Sequence, residues 1–273
     1  MSWFEAIVLG LVQGLTEFLP VSSTAHLRIV PAFLGWADPG APFTAVVQLG
    51  TTLAVLVYFR RDLWRITSTW ARSLRDPSLR DTLDARFGWY IALGTIPIGI
   101  AGLAFQHQIE TGARNLVLIA CALIALGLVL LVAERVGRRE RGLEQLDARD
   151  AAAIGAAQAL ALVPGVSRSG ATLSAGLFRG LGRAAAARYS FLLSTPAIAL
   201  SAALELPEIG GNGGPGAAAT VVATVIAFGS GYLAIGWLLR FLATRSAFVF
   251  VVYRVALGSL VLVLVAANVR GFE

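Results

Sequence analysis

The chain has 273 residues, 57% of them apolar and only 14% charged, with a net charge of +6 and a mean hydropathy of +0.75. Soluble domains carry about 25% charged and about 45–50% apolar residues, so the composition excludes a soluble globular protein and predicts a single integral membrane domain over residues 1–273. The one cysteine, Cys121, excludes a disulfide or Cys/His metal framework, and the absence of lysine excludes P-loop or Schiff-base lysine chemistry.

The first apolar stretch, Trp3–Leu19, has no basic residue ahead of it and is flanked by Glu5 and Glu17, so no cleavable signal peptide is expected. Pro20 halts it, "VSSTAH" comes next, and a second short apolar piece runs over 24–35. Apolar stretches of about 10–14 residues suit re-entrant segments better than spans, so this pair predicts a helical hairpin that dips in and returns. Spanning helices are expected over 43–59, 87–105 and 115–133, where roughly 20 mostly apolar residues are available. Cys121 falls in the last of these and reads as a buried small apolar residue. A second short stretch, Ala151–Val163, is halted by "PGVSRSG" and followed by an apolar piece over 170–180, predicting a second hairpin. Three more spans are expected over 187–204, 217–239 and 247–268. The fold class is therefore all-α integral membrane, with six transmembrane helices and two re-entrant hairpins.

Charge suggests orientation. Arg60–Arg86 holds seven arginines and Glu134–Asp150 five, and Arg179, Arg183, Arg188, Arg240 and Arg245 flank later spans. Such ends are expected on the cytoplasmic side. The glycine-rich Glu205–Gly216, with two acids and no base, reads as an outer loop. Both chain termini then fall outside, with Arg270 mildly against.

At an offset of 145 residues, Ala6, Gly10, Gln13, Leu15, Val21 and Ser22 match Ala151, Gly155, Gln158, Leu160, Val166 and Ser167. Hairpin followed by three spans recurs in both halves, so repeat one runs over about 1–135 and repeat two over about 148–270. An odd number of spans per unit inverts the second copy, which places the broken helices and the functional site near the midplane.

Polar groups at membrane depth are costly and mark function. The first hairpin offers Gln13, Glu17, Ser22, Ser23, Thr24, His26 and Arg28; the second offers Gln158, Ser167, Arg168, Ser169 and Thr172. Gln13 and Glu17 are four apart and share a helix face. Ser22, Ser23 or Thr24 can cap the helix after Pro20, and Ser167 or Ser169 the helix after Pro164-Gly165. Helix N-termini bind phosphate, and Arg168 adds a planar fork for two phosphate oxygens. One carboxylate with hydroxyls and substrate phosphates suits a hard divalent cation, Mg²⁺ or Ca²⁺. A serine beside a base is a plausible nucleophile, and His26 is a candidate base or proton donor. Other polar residues carry blander readings: Ser174, Ser190, Ser230 and Ser259 bonding their own helices, Gln48 packing between helices, Arg28 at an interface, His107 in a solvated outer loop, and Arg254 as partner to a carbonyl or acid.

"QGLTEFLPVSSTAH" and "PGVSRSGAT" closely resemble the two motifs of the undecaprenyl-pyrophosphate phosphatase family, the bacitracin-resistance type. The resemblance implies hydrolysis of the C55 isoprenoid pyrophosphate to the monophosphate carrier of cell-wall synthesis. It also implies dependence on a divalent metal, an active site on the outer face of the bacterial inner membrane, and the six-span, two-hairpin layout. It makes Glu17 the essential carboxylate with Gln13 its motif partner. It puts Ser22, Ser23, Thr24, His26, Ser167 and Arg168 at active-site positions, with Ser23 carried as nucleophile and His26 its competitor. Ser169 and Thr172 join the expected substrate-binding set. Many members carry glutamate where this chain has Gln13, which leaves Glu17 as the main metal or base candidate. The expected partners are the polyprenyl pyrophosphate and membrane lipid, with no nucleic acid; a homodimer is compatible. The rival reading is a polyprenyl-phosphate flippase using the same anion site.

Overall fold

The computed structural model describes residues 1–105, 115–205, 216–269 and 271–272. The expectations for His107, Arg270 and loop residues 206–215 lie outside them. The described residues form α1 (Trp3–Phe18), α2 (Ser23–Leu34), α3 (Gly40–Tyr58), α4 (Arg60–Ser73), α5 (Leu83–Ala104), α6 (Leu116–Val136), α7 (Ala148–Ala159), α8 (Arg168–Phe178), α9 (Arg183–Glu205), α10 (Ala217–Thr244) and α11 (Phe248–Ala266). Short 3₁₀ turns lie between some of them, and among the described residues there is no strand beyond an isolated Arg141–Leu181 bridge.

Helices α5, α6, α10 and α11 are each long and apolar enough to cross a membrane; α3 and α4, bent by 71° at Phe59, make a fifth if taken together. Their outward faces carry exposed Ile100, Leu103, Val221, Val225, Leu233 and Val263. A soluble protein would bury such surface, so these helices fit a multi-pass membrane protein. α9 has 23 residues, with Arg183 and Arg188 in its first turns and buried Ser190, Ser194 and Thr195 along it. α1, α2, α7 and α8 have 16, 12, 12 and 11 residues, too short for a hydrocarbon core of about 30 Å at about 1.5 Å per residue.

The two expected interruptions are real, and Pro20–Ser22 in the first and Pro164–Ser167 in the second are buried. The chain breaks at Leu19–Ser22 between α1 and α2, and at Leu160–Ser167 between α7 and α8. Pro20 cannot continue the ladder of α1, and Leu19 turns extended at φ −67°, ψ 145°. Gly165, at φ +91°, turns the second break where a Cβ would meet the Ile119 carbonyl oxygen at 2.5 Å.

Close helix packing fixes the frame around these breaks. α1 lies against α10, and α7 against α5. Gly10 permits the first approach and Gly155 the second: a Cβ on either would come within 2.5 Å of a backbone oxygen, that of Ala223 or Gly94. α6 packs along α11, and α8 is held between α6, α7 and α9.

Two features differ from the sequence expectation. Residues 60–73, legible only as an arginine-rich loop, form an amphipathic helix. Leu63, Ile66 and Trp70 face the protein at helical spacing, while Trp64, 75% exposed, projects beside Arg60, Arg61 and Arg65. That mixture suits the headgroup zone. Cys121 is exposed on α6 rather than buried, because an apolar run does not distinguish a helix's lipid face from its packed face.

The arginine-rich ends are also more than charge markers. Glu134, at the end of α6, accepts from Arg139 and Arg183 and from the Ala247 backbone N–H at 2.8 Å, tying α6, α9 and the α10–α11 turn. Asp150, in the first turn of α7 and fully buried, accepts from Arg141 at 2.6 Å and Arg179 at 2.7 Å. Arg188 donates to Asp62 at 2.7 Å, joining α9 to α4. Burial pushes the Asp150 carboxyl up, but hydrogen bonds from Arg141, the Asp147 backbone and Arg179 hold it below the usual carboxylate range.

Asp150→Asn should lower stability at pH 7 by about 2–4 kcal/mol, less than for a fully buried pair because Arg141 and Arg179 stay partly in solvent. Because the folded carboxyl is depressed, its contribution is complete above the unfolded value of about 3.9 and is lost as pH falls through the lower folded value. Thermal melts in detergent between pH 7 and pH 3 should show that acid limb in the parent protein and its reduction in Asp150→Asn.

Candidate active site

The two breaks cap their following helices in the same way. The Ser22 hydroxyl accepts from the Ala25 N–H at 3.4 Å, and the Ser167 hydroxyl accepts from the Gly170 N–H at 3.2 Å. Of the serines that could cap, these two do so. Both have positive φ, +75° and +67°, a conformation that costs about 1–3 kcal/mol in a non-glycine residue and persists only where surroundings impose it. With the caps fixed, Ser23 and Arg168 are the first helical residues of α2 and α8.

These two residues meet on Glu17. The Ser23 hydroxyl donates to Glu17 Oε2 at 2.6 Å, and Arg168 donates to Glu17 Oε1 at 2.8 Å. Gln13 Nε2 adds a bond to Oε2 at 3.2 Å, one helical turn back on α1. The Glu17 and Arg168 side chains are only 10% and 14% exposed. Charge-assisted bonds of this length are about twice as strong as neutral ones, and each ion offsets the desolvation of the other. The breaks also touch directly: Ser169 Oγ donates to the Leu19 carbonyl at 2.9 Å and lies 3.2 Å from Ser167 Oγ.

His26, on the turn after Ser23, is committed on both ring nitrogens. Nδ1 lies 2.7 Å from the Ser22 carbonyl oxygen and Nε2 lies 2.6 Å from the Tyr253 hydroxyl. A carbonyl can only accept, so Nδ1 carries the proton, and in the neutral ring Nε2 accepts from Tyr253. The rings stack at 5.5 Å with planes 7° apart. His26 thus braces the Ser22 turn, and its free lone pair is directed at Tyr253.

The remaining expected residues fall around this contact with different roles. Thr24 is exposed in the first turn of α2. Thr172 is fully buried; its hydroxyl bonds the Arg168 carbonyl at 2.8 Å and Ser190 Oγ at 2.5 Å, which directs it into the α8–α9 contact. Arg28 pairs with Asp38 at 3.5 Å. Ser174 and Ser230 bond carbonyls of their own helices. Arg254 is fully buried and bonded to carbonyls.

Three participants were not legible as site residues. Tyr253 sat in an apolar span, and only its place beside Arg254 hinted at polarity. Thr51 accepts from Gln13 Nε2 at 3.4 Å, and the Ser194 carbonyl accepts from Arg168 at 3.5 Å; nothing local in the sequence marks either.

A divalent cation is compatible with the donors present. Among the described residues no group of three or more His, Cys, Asp or Glu side chains is arranged to hold a metal. Glu17 is one hard donor, and Gln13 Oε1, buried without a hydrogen-bond partner, is a second on the same helix face. Mg²⁺ is commonly held by one or two carboxylates, completing its shell with water and substrate phosphates. The donor set fits a cation that arrives with its phosphate ligand.

These features define a multi-pass helical membrane protein whose polar side chains converge where two buried chain breaks touch. The chain belongs to the bacitracin resistance protein BacA family, whose profile matches residues 6–260. It is 54% identical over 269 residues to an undecaprenyl-diphosphatase of Thermobifida fusca, covering 98% of this chain and 92% of that one. It is 54% identical over 270 residues to an undecaprenyl-diphosphatase of a Nocardioides species, covering 98% of both chains. An undecaprenyl-diphosphatase 2 of Streptomyces coelicolor is 52% identical over 281 residues, covering 98% of this chain and 97% of that one.

Tyr253→Phe should lower stability by about 1 kcal/mol through the lost hydrogen bond to His26. Melting in detergent measures it, with His26→Ala in the Tyr253→Phe background adding less than His26→Ala does alone.

Proposed function

We propose that this chain is an integral-membrane undecaprenyl-diphosphatase. It hydrolyses undecaprenyl pyrophosphate to undecaprenyl phosphate and inorganic phosphate. The observation that carries the chemistry is the Ser23 hydroxyl donating to Glu17 Oε2 at 2.6 Å while Arg168 holds Oε1. That is a nucleophile hydrogen-bonded to a base, with the base oriented by a third group. Ser23 Oγ attacks the terminal phosphorus and its proton passes to Glu17. The bond from that phosphorus to the bridging oxygen breaks, releasing the lipid monophosphate. Water then hydrolyses the phosphoserine, releasing phosphate and restoring the Ser23 hydroxyl. Free N–H donors of Arg168 and the α2 and α8 N-termini stabilise charge on the equatorial oxygens. Glu17 and Gln13 would hold a Mg²⁺ or Ca²⁺ ion, which supplies charge neutralisation on the phosphates when bound. Ser23 is favoured over His26 as nucleophile because His26 Nε2 is taken up by Tyr253.

In the same reading α3, α5, α6, α9, α10 and α11 are six spans, and α1–α2 and α7–α8 are re-entrant hairpins of an inverted repeat. Several correspondences at the 145-residue offset support it. Ser22 and Ser167 share the positive-φ cap, Gly10 and Gly155 each meet a neighbouring helix backbone, and Gln13 and Gln158 each keep an unpartnered buried Oε1. The arginine-rich ends of α4, α6 and α9 then face the cytoplasm, and the Glu17 site opens to the outer side.

Purified protein should release phosphate from undecaprenyl pyrophosphate with Mg²⁺ or Ca²⁺ present. Glu17→Ala and Ser23→Ala should each lower kcat by about 10²–10⁴, and Arg168→Lys by about 10², because a point charge does not replace the fork. Full activity in Ser23→Ala with loss in His26→Ala would transfer the nucleophile to His26. Movement of the lipid across vesicles without phosphate release would favour the flippase. EDTA should abolish turnover and either cation restore it; turnover unaffected by chelation removes the metal from the reading.

A further inference from the structure

We infer that Arg254 is a positioning residue for this site: from α11 its guanidinium bonds the carbonyls of both chain breaks and sets the spacing between Ser23 and Arg168. The side chain is fully buried. NH1 donates to the Pro20 carbonyl at 3.1 Å, in the first break. NH2 donates to the Gly165 carbonyl at 3.2 Å and the Val166 carbonyl at 3.0 Å, in the second. Nε donates to the Leu123 carbonyl at 3.1 Å and NH2 also reaches the Ala122 carbonyl at 3.4 Å, anchoring the fork to α6. Among the described residues every hydrogen-bond partner is a carbonyl and none a carboxylate, so the group is not half of an ion pair there.

The position matters more than the number of bonds. Pro20 lies two residues before Ser22, and Val166 directly precedes Ser167, so the fork grips the chain just ahead of both strained caps. A positive φ at a serine persists only where surroundings over-determine it, and one rigid plane bonded to both breaks supplies that determination. Glu17 on one side of the site and Arg168 on the other are then held at the 2.8 Å contact by a group that touches neither. Space for the fork is built in: a Cβ on Gly170 would lie 3.1 Å from Arg254 NH1, and one on Gly127 3.3 Å from Arg254 Cβ. Lysine would not substitute, because its three donors radiate from one nitrogen and cannot span two breaks and a helix.

The kinetic part of this inference rests on the phosphatase reading; the structural part does not. Two measurements on Arg254→Lys in the full-length protein test it. Hydrogen–deuterium exchange followed by mass spectrometry should show faster exchange in peptides covering both residues 19–27 and 163–172, with α4 and α10 peptides unchanged. Turnover should fall about ten- to hundred-fold, the range expected for a displacement of about 1 Å at a reacting centre. That loss should shrink in an Arg168→Lys background, where the alignment no longer matters. Wild-type kcat, exchange unchanged at either break, faster exchange along the whole chain, or a loss of equal size in both backgrounds would each overturn the assignment. If the parent protein lacks phosphatase activity, the proposed function fails, while the exchange result still decides whether Arg254 braces both breaks.

Discussion

A buried interruption in a helix is the constraint on which this structure turns. Where Pro20 and Pro164-Gly165 stop the ladders, backbone carbonyls and amides lose their helical partners, and lipid offers no water to replace them. Each unmet group would cost a few kcal/mol. The protein meets the deficit from two sides. Ser22 and Ser167 satisfy free amides at the starts of α2 and α8, and the Arg254 guanidinium satisfies carbonyls of both breaks. Two interruptions that would each be a liability share a single arginine, which draws them together.

That convergence creates the site. With the caps fixed, Ser23 and Arg168 enter from opposite breaks and Glu17 comes from the last turn of α1. Glu17 accepts from a hydroxyl, a guanidinium and an amide, so a carboxylate that is only slightly exposed keeps its charge compensated. The same donors suit phosphate oxygens, because an arginine fork and helix N-termini favour any compact anion. His26 contributes by stiffening the Ser22 turn, with Tyr253 closing its other nitrogen. The contact is therefore pre-organised: the Ser23 hydroxyl is already hydrogen-bonded to the Glu17 carboxylate, and the Arg168 guanidinium is already paired with it.

Away from the site, arginine acts as mortar between helices. Glu134 and Asp150 are buried acids, each surrounded by arginines from other segments. Such clusters fix how α6, α7 and α9 begin and end, and through α7 and α8 they fix the second break. A charge-rich sequence segment can thus hold the ends of the helices in register.

Features that obey local rules could be read from the order of residues alone. Hydropathy and proline placement located both breaks and the long apolar helices to within a few residues, because helix length and helix breaking are properties of the local chain. The motifs singled out Glu17, Ser23 and Arg168 as candidates, which the fold brings into contact, and the hydroxyl residues after each proline anticipated two capped helices. Tertiary structure decided the rest. Which serine caps, where the hydroxyl of Thr172 goes and that Tyr253 closes on His26 depend on neighbours up to 227 residues away in sequence. The amphipathic α4 was hidden because its arginines dominate a segment whose apolar face is only three residues wide. Arg254 stood in the sequence as a cation in an apolar helix, expected to meet some carbonyl or acid. Its partners are backbone carbonyls, which carry no sequence signature, so only the folded chain could show what they are.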